Sequence, residues 1–511
     1  MRRFIQLCIT ALFVLLGLQL VKISLAAEPD FSTALNGGYT LAFSLQGDDS
    51  RVTAQEELRE EYGLVTRIVH RFVIHQGNRH SGELALTLYT DPMAGTLYFL
   101  ENTSAVPVEL QIIKQGCSDA VTLREFTYGT AERAEARTVS TGSGFGSETS
   151  LYLEGDGLFV QSGRTVRLEP KGSTVHRIET AETGTAFSVE DGVFTLRTRI
   201  AADGAPKVSY HGSVCTSPLV DWDTPHRTQK IVNFDTTNEY LFLADGHYYE
   251  KPPDYMPCAE EEGRFVYKTV ASFVHKSAME PDSGAYLRLL GLYLLYTRME
   301  SFNSSGYIPT PCESRWLKTD YNIGAGFYDT RFNTDAVRAL IFSERIGEEP
   351  RIRETVECAL DFYIDFRARH RFLANGSFFV PDYLDKDGVT AAGHTSLNHS
   401  LAEGMALIEA GQQYGREDYL AEGLQVFDEL EKSWSKWIRP NGDLWYAVNR
   451  AAEMIRDDYV SVTYNDLVEM VKMLDSMGCL ERYPGLYALL LSKEAWLVGS
   501  EEGAACIVKH P

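Results

Sequence analysis

Paired cysteines, a second long apolar run and an excess of basic residues are all missing from this chain of 511 residues. Its eight cysteines include no C-x-x-C pair and no spacing typical of a zinc site, so we expect neither a structural metal nor a cofactor. The seven cysteines after Cys8 are scattered, and both buried thiols and a Cys117–Cys215 bridge within the first domain stay open.

Basic residues are outnumbered, with 48 Lys and Arg against 71 Asp and Glu, and the formal net charge is −23. A surface with this charge repels nucleic acid and anionic lipid over a Debye length of about 10 Å. We therefore expect no nucleic-acid partner. The oligomeric state stays open at this stage.

The one long apolar run extends from Phe4 to Val21, after Arg2 and Arg3. A basic start, an apolar centre and small residues near Ala26 are typical of a secretory signal. We expect residues 1–26 to be a cleaved signal peptide, which predicts export to the extracellular space or the cell envelope. A retained membrane anchor is the alternative, and this segment is the only expected membrane contact.

Short alternating runs separated by turn residues follow, for example at residues 96–100, 108–113 and 193–198. Several such runs at this spacing predict a sandwich or a barrel. We expect a β-sandwich-like domain over residues 27–275, in which residues 216–275 form a connecting segment that is still partly β.

After Ser277 the apolar period becomes that of helices, and about seven are predicted over residues 276–500, before a tail at 501–511. The connections between these helices alternate in length. Those near 300–332, 372–394 and 439–460 are long, and those near 346–350, 414–415 and 479–483 are short. In an up-and-down array every second connection lies at the same end, so the three long loops should meet on one rim.

The three long loops are rich in aromatic and charged residues, which suits a sugar site: aromatic faces contact C–H groups, while carboxylates and guanidinium groups bind hydroxyls and acidic groups. Taken singly, each residue also fits a place in the core or at a helix cap. The candidates for substrate binding are Tyr307, Glu313, Arg315, Trp316, Tyr328, Arg331, Asn398, Trp445, Arg450 and Tyr464.

Several short motifs occur here in a recognisable order. They are Gly306-Tyr307-Ile308-Pro309, Gly326-Phe327-Tyr328-Asp329, Ser396-Leu397-Asn398, Gly442-Asp443-Leu444-Trp445-Tyr446 and Asp458-Tyr459. Over residues 277–497 this order resembles the C-terminal domain of the D-glucuronyl C5-epimerases. The resemblance implies an incomplete (α/α) toroid, so that the expected fold is multidomain, β plus all-α.

The resemblance also implies a reaction. The family inverts C5 of a uronic acid within a polysaccharide, with tyrosines as acid and base on opposite faces of the sugar. By motif position, Tyr446 and Tyr459 match two of these catalytic tyrosines. The family has an acidic residue and a tyrosine shortly before the helix that Ser396 opens, and the segment Val389–His394 contains neither. Tyr383 or His394 would substitute for them. Asn449 stands where the family has an arginine, with Arg450 one place later.

Three other functions stay open beside an epimerase that acts on a uronate-containing polysaccharide. A lyase would begin with the same proton abstraction and then expel the C4 substituent. A hydrolase would need paired carboxylates, for which Glu313 with Asp382 or Asp458 is a conceivable pair. A non-catalytic glycan-binding or envelope-assembly factor would keep the toroid without the chemistry.

Overall fold

The computed structural model describes most of the chain after the predicted signal segment, which lies outside the described residues together with Val389–Ala392. The described residues are 28–118, 120–126, 136–140, 150–172, 174–180, 185–224, 228, 231, 234, 240–250, 255–256, 264–267, 275–276, 278–280, 283–388, 393–499, 501–508 and 510.

The strands of the N-terminal part are β1 Phe31–Leu35, β2 Tyr39–Leu45, β3 Ser50–Glu61, β4 Thr66–Gln76, β5 Arg79–Asp91, β6 Gly95–Asn102, β7 Val108–Gln115, β8 Ala120–Phe126, β9 Ala136–Ser140, β10 Ser150–Gly155, β11 Leu158–Ser162, β12 Val166–Lys171, β13 Thr174–Thr180, β14 Ala186–Glu190, β15 Val193–Ile200, β16 Lys207–Cys215, β17 Tyr240–Leu243, β18 Gly246–Glu250, β19 Tyr255–Met256 and β20 Arg264–Tyr267.

The described helices that follow are α1 Ala285–Glu300, α2 Arg315–Tyr321, α3 Thr330–Ser343, α4 Pro350–His370, α5 Leu397–Tyr414, α6 Glu417–Ser433, α7 Val462–Ser476, α8 Pro484–Leu497 and α9 Glu501–Ala505. Short strands lie between them: β21 Glu313–Ser314, β22 Tyr328–Asp329, β23 Phe372–Ala374, β24 Ser377–Phe379, β25 Tyr383–Leu384, β26 His394–Ser396, β27 Trp445–Asn449 and β28 Met454–Asp457.

The N-terminal part is a β-sandwich, as the alternating runs predicted. A five-stranded antiparallel sheet, in the order β1-β2-β7-β15-β14, faces a fourteen-stranded sheet in which β16 joins β6, β11 and β12. On β7 the side chains of Val108, Leu110 and Ile112 are buried, and the residues between them are partly exposed. These side chains share one core with Leu86 and Leu100 of the larger sheet.

Helix α1 covers the other face of the larger sheet. On β6, Tyr98 and Leu100 point into the sandwich, whereas Leu97 and Phe99 belong to a second core with α1 and the later helices. A helix enclosed on both sides must be apolar around its whole circumference. This explains why α1 is buried from Ala285 to Met299 apart from Arg288, which forms an ion pair with Asp91.

Six of the seven long helices described form two rows, an arrangement that matches an incomplete α/α toroid, and α1 packs against α3 and α4. Helices α3, α5 and α7 pack side by side, while α4, α6 and α8 each pack outside the helix that precedes them. Helices α5 and α6 approach each other closely, since a Cβ atom at Gly423 would lie 2.8 Å from the Gly404 carbonyl oxygen.

The three long connections meet at one end of the helices, as their alternation with short ones predicted. Strand β22 of the first loop pairs with β25 of the second, and β26 of the second pairs with β27 of the third. An ion pair of 2.7 Å between Arg456 and Asp320 joins the third loop to the first. We call this end the rim.

Two sequence expectations about the wider chain can be compared with the structure. Cys117 and Cys215 are free and buried, which corrects the possible bridge between them; burial raises the pKa of the Cys215 thiol to about 12. None of the described helices has the length and apolar character needed to span a bilayer.

Leu292 at the centre of α1 tests this architecture, because its side chain has no exposed surface. We predict that Leu292→Ala lowers the free energy of unfolding by about 2–5 kcal/mol, since the surrounding core closes only partly around the cavity. Leu491→Ala is the matched control, because Leu491 on α8 is 46% exposed. Equal losses for the two variants in denaturant titrations would contradict the buried position of α1.

Candidate active site

Helices α3, α5 and α7 all begin at the rim, so their partly positive N-termini face the same region. Asp329 precedes α3 and accepts a hydrogen bond of 2.9 Å from the Phe332 amide. Asp382 accepts bonds of 2.9 and 3.1 Å from the Ser396 amide at the start of α5. Two buried carboxylates therefore lie at adjacent helix N-termini.

Asp382 is completely buried and also accepts a bond from the Ser396 hydroxyl. Burial disfavours its charged form, but contacts with His399, His394 and Ser396 outweigh burial and lower the pKa of the carboxyl group. Asp382 is therefore a carboxylate at neutral pH. His394 Nε2 lies 3.3 Å from its Oδ2 atom.

His394 connects this carboxylate to the surface. Its ring is fully buried, and its Nδ1 atom lies 2.6 Å from the hydroxyl of Tyr321, which is half-buried at the end of α2. With a carboxylate facing Nε2, the imidazole proton belongs on that nitrogen. Nδ1 can then accept a proton from Tyr321.

Tyr446 and Tyr459 also lie near His394. The Tyr446 ring is 7% exposed and lies 5.7 Å from the His394 ring and 5.5 Å from the ring of Tyr459, which is 52% exposed. Ser396 pairs with Ala447, the residue after Tyr446, between β26 and β27, and the Tyr446 ring packs edge-on against that of Tyr459. Burial is the main cause that raises the pKa of both phenols, so both are neutral at pH 7.

These groups are neighbours in a series in which hydrogen bonds join Tyr321 to His394 and Ser396 to Asp382, while His394 Nε2 lies 3.3 Å from Asp382. In order, the series consists of Tyr321, His394, Asp382, Ser396, Tyr446 and Tyr459. Both of its ends are accessible from the rim, and its middle is shielded from water. We call this series the tyrosine relay.

Aromatic rings from the first and second loops cover the relay. Trp316 stacks on His394 with ring centres 5.7 Å apart, and Tyr383 packs edge-on against Trp316 at the same distance. The guanidinium of Arg456 lies 4.6 Å from the centre of the Trp316 ring and pairs with Asp320. Arg456 has a positive φ of 61°, which is unfavourable for a side chain of this size and requires support from its contacts.

A buried lysine holds the third loop in place. Lys493 on α8 is completely buried, and its Nζ atom lies 2.7 Å from Asp443 and 2.9 Å from Asp458, near the two ends of that loop. It also donates a bond of 2.8 Å to the carbonyl oxygen of Tyr459. The lysine therefore fixes the backbone that carries the outer end of the relay.

A second polar group lies beneath the relay, inside the row of α3 and α5. His399 Nδ1 lies 2.9 Å from the Thr330 hydroxyl, and Glu403 accepts a bond of 2.6 Å from the Tyr363 hydroxyl. Burial raises the pKa of Glu403 to about 7. Within the described ranges, no three His, Cys, Asp or Glu side chains are arranged to hold a metal ion.

Four predicted binding residues lie away from the relay, which corrects their expected place in the cleft. Tyr307 stacks on Phe362, with ring centres 4.9 Å apart, and Tyr328 is 2% exposed against the same helix. Both rings pack against Phe362 on α4. The sequence pattern alone does not separate such core aromatics from cleft aromatics.

Arg331 and Tyr464 are the other two. The Arg331 guanidinium is held by Asp335 and Asp466 between the inner helices, at 3.0 and 2.6 Å. Tyr464 has no exposed surface, and its hydroxyl bonds the Val508 carbonyl oxygen in the C-terminal tail at 3.3 Å.

The remaining predicted binding residues surround the relay at different distances from it. Glu313 pairs with Lys318 at 3.6 Å, and Arg315 is exposed beside it. Asn398 is buried in the first turn of α5, and Trp445 is half-buried under Arg439. Arg450 is exposed on the β27–β28 hairpin.

Tyr321 was not among the predicted site residues, and Asp382 was considered only as part of a conceivable hydrolase pair, although both lie in the long loops. Asp382 stands fourteen residues before Ser396, and Tyr321 stands 73 residues before His394. No local motif marks either contact, because strand pairing between different loops brings them together. A buried carboxylate at a helix start was the only available signal, and it also fits a simple cap.

The raised pKa of Glu403 predicts a pH-dependent stability. Between about pH 4.5 and 7, Glu403 keeps its proton in the folded protein but has lost it in the unfolded chain. The free energy of unfolding therefore falls as pH rises through this interval, by at most about 1.4 kcal/mol per pH unit from this group. Glu403→Gln should remove this contribution, and its stability relative to wild type should increase across that interval. Glu417→Gln, at an exposed position on α6, is the control in denaturant titrations at several pH values. Parallel curves for wild type and Glu403→Gln would contradict the assignment.

No protein-family model matches this chain, and a search of curated proteins found none with a similar sequence. Among solved structures, a family 76 glycoside hydrolase from a bovine Bacteroides thetaiotaomicron strain aligns with a TM-score of 0.38 and 11% identity, covering 76% of this chain and 75% of its own. A cellobiose 2-epimerase from Spirochaeta thermophila aligns with a TM-score of 0.35 and 16% identity, covering 46% of this chain and 60% of its own. An unsaturated glucuronyl hydrolase from a Bacillus species aligns with a TM-score of 0.33 and 12% identity, covering 45% of this chain and 60% of its own. This chain thus spans less than two thirds of the last two. All three are carbohydrate-active enzymes, but likeness at this level assigns no reaction to the present chain.

Proposed function

We propose that this protein is exported and acts on a uronate-containing polysaccharide by proton transfer at C5, in the manner of an epimerase. The tyrosine relay is the observation that carries this proposal. Inversion at C5 requires removal of the proton from one face of the sugar and its return to the other face. The relay offers two tyrosine hydroxyls, one at each end, with proton-carrying side chains as neighbours between them.

Tyr321 and His394 are suited to the first step. As the C5 proton moves to the Tyr321 oxygen, the hydroxyl proton of Tyr321 moves to His394 Nδ1, over a distance of 2.6 Å. The tyrosine stays neutral, the imidazole becomes positive, and the substrate becomes an enolate. The Asp382 carboxylate stabilises the imidazolium, much as a buried aspartate does in other acid–base sites.

Tyr459 is suited to the second step. Its hydroxyl donates a proton to C5 from the other face and is reprotonated by Tyr446. The imidazolium then gives its Nε2 proton to Asp382, Asp382 gives a proton to Ser396 as the Ser396 hydroxyl gives its own to Tyr446, and His394 is left neutral with its proton on Nδ1. Return of the ring to the Nε2–H tautomer resets the relay. No net proton enters or leaves the protein, as an isomerisation requires.

The developing enolate charge needs a stabilising group near the sugar carboxylate. Arg456 supplies a cation beside Trp316, and the N-termini of α3, α5 and α7 add partial positive charge. The raised pKa values of the phenols are compatible with this scheme, since neutral tyrosines act as proton donors and carriers.

The hydrolase alternative has less support. Asp382 and Asp458 are both buried and bonded to protein groups, and Glu313 is paired with Lys318. A glycosidase needs two carboxyl groups on either side of the bond to be cleaved. A lyase remains compatible with the first step of the relay.

Non-catalytic glycan binding is the second candidate, because Tyr459 and Phe378 present exposed aromatic rings at the rim. Exposed aromatic faces suit contact with sugar C–H groups whether or not a reaction follows.

Incubation of the purified protein with glucuronate, mannuronate and galacturonate polymers in deuterated water tests these functions. We predict that one polymer gains deuterium at C5, detected by NMR. Tyr321→Phe and Tyr446→Phe should each lower this exchange by about 10²–10⁴-fold with little change in melting temperature, because each removes a proton-carrying hydroxyl and keeps the ring.

Tyr464→Phe is the matched control, since its hydroxyl contacts only the C-terminal tail among the bonds observed, and exchange should persist. An unsaturated product that absorbs ultraviolet light would indicate a lyase. Binding without exchange would indicate the non-catalytic function, and full activity of Tyr321→Phe would contradict the relay.

A further inference from the structure

The β23–β24 hairpin of the second loop exposes two large apolar side chains. Leu373 and Phe378 face each other across its two strands and are 61% and 45% exposed. Their neighbours Phe372 and Phe379 are buried and attach the hairpin to the helical core. In the described part of the chain, five of the eleven exposed large hydrophobic side chains lie at the rim: Leu373, Phe378, Tyr459, Val460 and Val462.

Two arginines lie against this hairpin. The Arg371 guanidinium is 5.0 Å from the centre of the Phe378 ring, and that of Arg450 is 5.1 Å from the ring of Phe372. Both arginines are exposed, and Arg371 forms no ion pair with any residue that the structure describes.

The hairpin is continuous with the tyrosine relay. Arg450 directly follows Asn449, which pairs with His394 between β26 and β27. The Asn375 side chain at the hairpin turn lies 3.4 Å from the sulfur of Met454 on β28. The hairpin therefore contacts the small sheet that carries His394 and Tyr446 of the relay.

We propose that Arg371, Phe378 and Arg450 form an outer subsite that binds a further sugar unit of an acidic polysaccharide whose reacting unit lies at the relay. This inference rests on the proposed function and names its substrate class as a polymer with a carboxylate on successive units. The Phe378 ring contacts the C–H face of the sugar, and the two guanidinium groups bind its carboxylate.

A polysaccharide fits this surface better than a folded protein partner does. One hairpin with two exposed apolar side chains is much smaller than the roughly 800 Å² per partner of a stable protein interface. Charge also favours an acidic chain, since the local arginines attract carboxylates while the rest of the surface repels them.

Binding measurements on the full-length protein test the subsite without requiring catalysis. The probes are a polyglucuronate and a neutral glucan of similar length, compared at low salt by affinity electrophoresis. We predict that the protein prefers polyglucuronate and that Phe378→Ala and Arg371→Met each weaken this binding by about tenfold. Added salt should weaken it further.

Arg482→Met is the matched control, because Arg482 lies over the ring of Tyr483 at 5.4 Å but far from the rim, in the short connection between α7 and α8. Equal binding of the neutral glucan, or unchanged affinity in both hairpin variants, would overturn the proposal. A dimer in ultracentrifugation that both variants abolish would overturn it as well, since the hairpin would then bind a second copy of the chain.

Exchange kinetics separate this inference from the proposed function. With a polymer that shows C5 exchange, Phe378→Ala should raise KM by about tenfold and leave kcat unchanged. With a substrate of one or two units, too short to reach the hairpin, wild type and variant should have the same KM. A wild-type protein that binds polyglucuronate through the hairpin but shows no exchange would sink the epimerase function alone.

Discussion

The burial of α1 between the large sheet and the later helices is the constraint on which this structure depends. Its leucines and tyrosines have almost no exposed surface, and a helix that is apolar on every side is stable in water only when it is covered on every side. The sheet supplies one cover and α3 and α4 the other. Because α1, the first long helix, is fixed against the sandwich, its end at Glu300 sets where the first long loop starts. The rim, and with it the candidate active site, follows from this packing.

Within the rim, one buried carboxylate organises most of the polar groups. Asp382 accepts bonds at the start of α5, orients the proton of His394 and lies close to His399. An unpaired charge at full burial would be strongly destabilising, so its partners are required as a set. This explains why a site built on tyrosines contains so many buried hydrogen-bonding groups. It also couples the two ends of the relay, since Ser396 and His394 contact the same carboxylate.

The net negative charge of the chain contrasts with the positive side chains at the rim. The chain as a whole is strongly acidic, but Arg371, Arg450 and Arg456 lie on or beside the rim. An acidic polymer would be attracted only where these side chains are exposed, which restricts productive approach to one end of the helical part. The exposed apolar side chains of the rim add contact area to the same surface. The rim arginines and the exposed apolar side chains thus lie on the same surface as the exposed end of the relay.

The sequence by itself determined the two-part architecture, the seven long helices and the meeting of three long loops, because apolar period and loop length are local properties. The period of two at residues 108–113 and the all-round apolar character of 285–295 each have one structural solution. Only the tertiary structure decided which loop residues meet. Tyr321 reaches His394, while Tyr307, Tyr328 and Tyr464 pack into the core, although all four lie in or next to the long loops. The physical reason is that strand pairing between separate loops sets these contacts, and register across 50 or more residues leaves no mark in the local pattern.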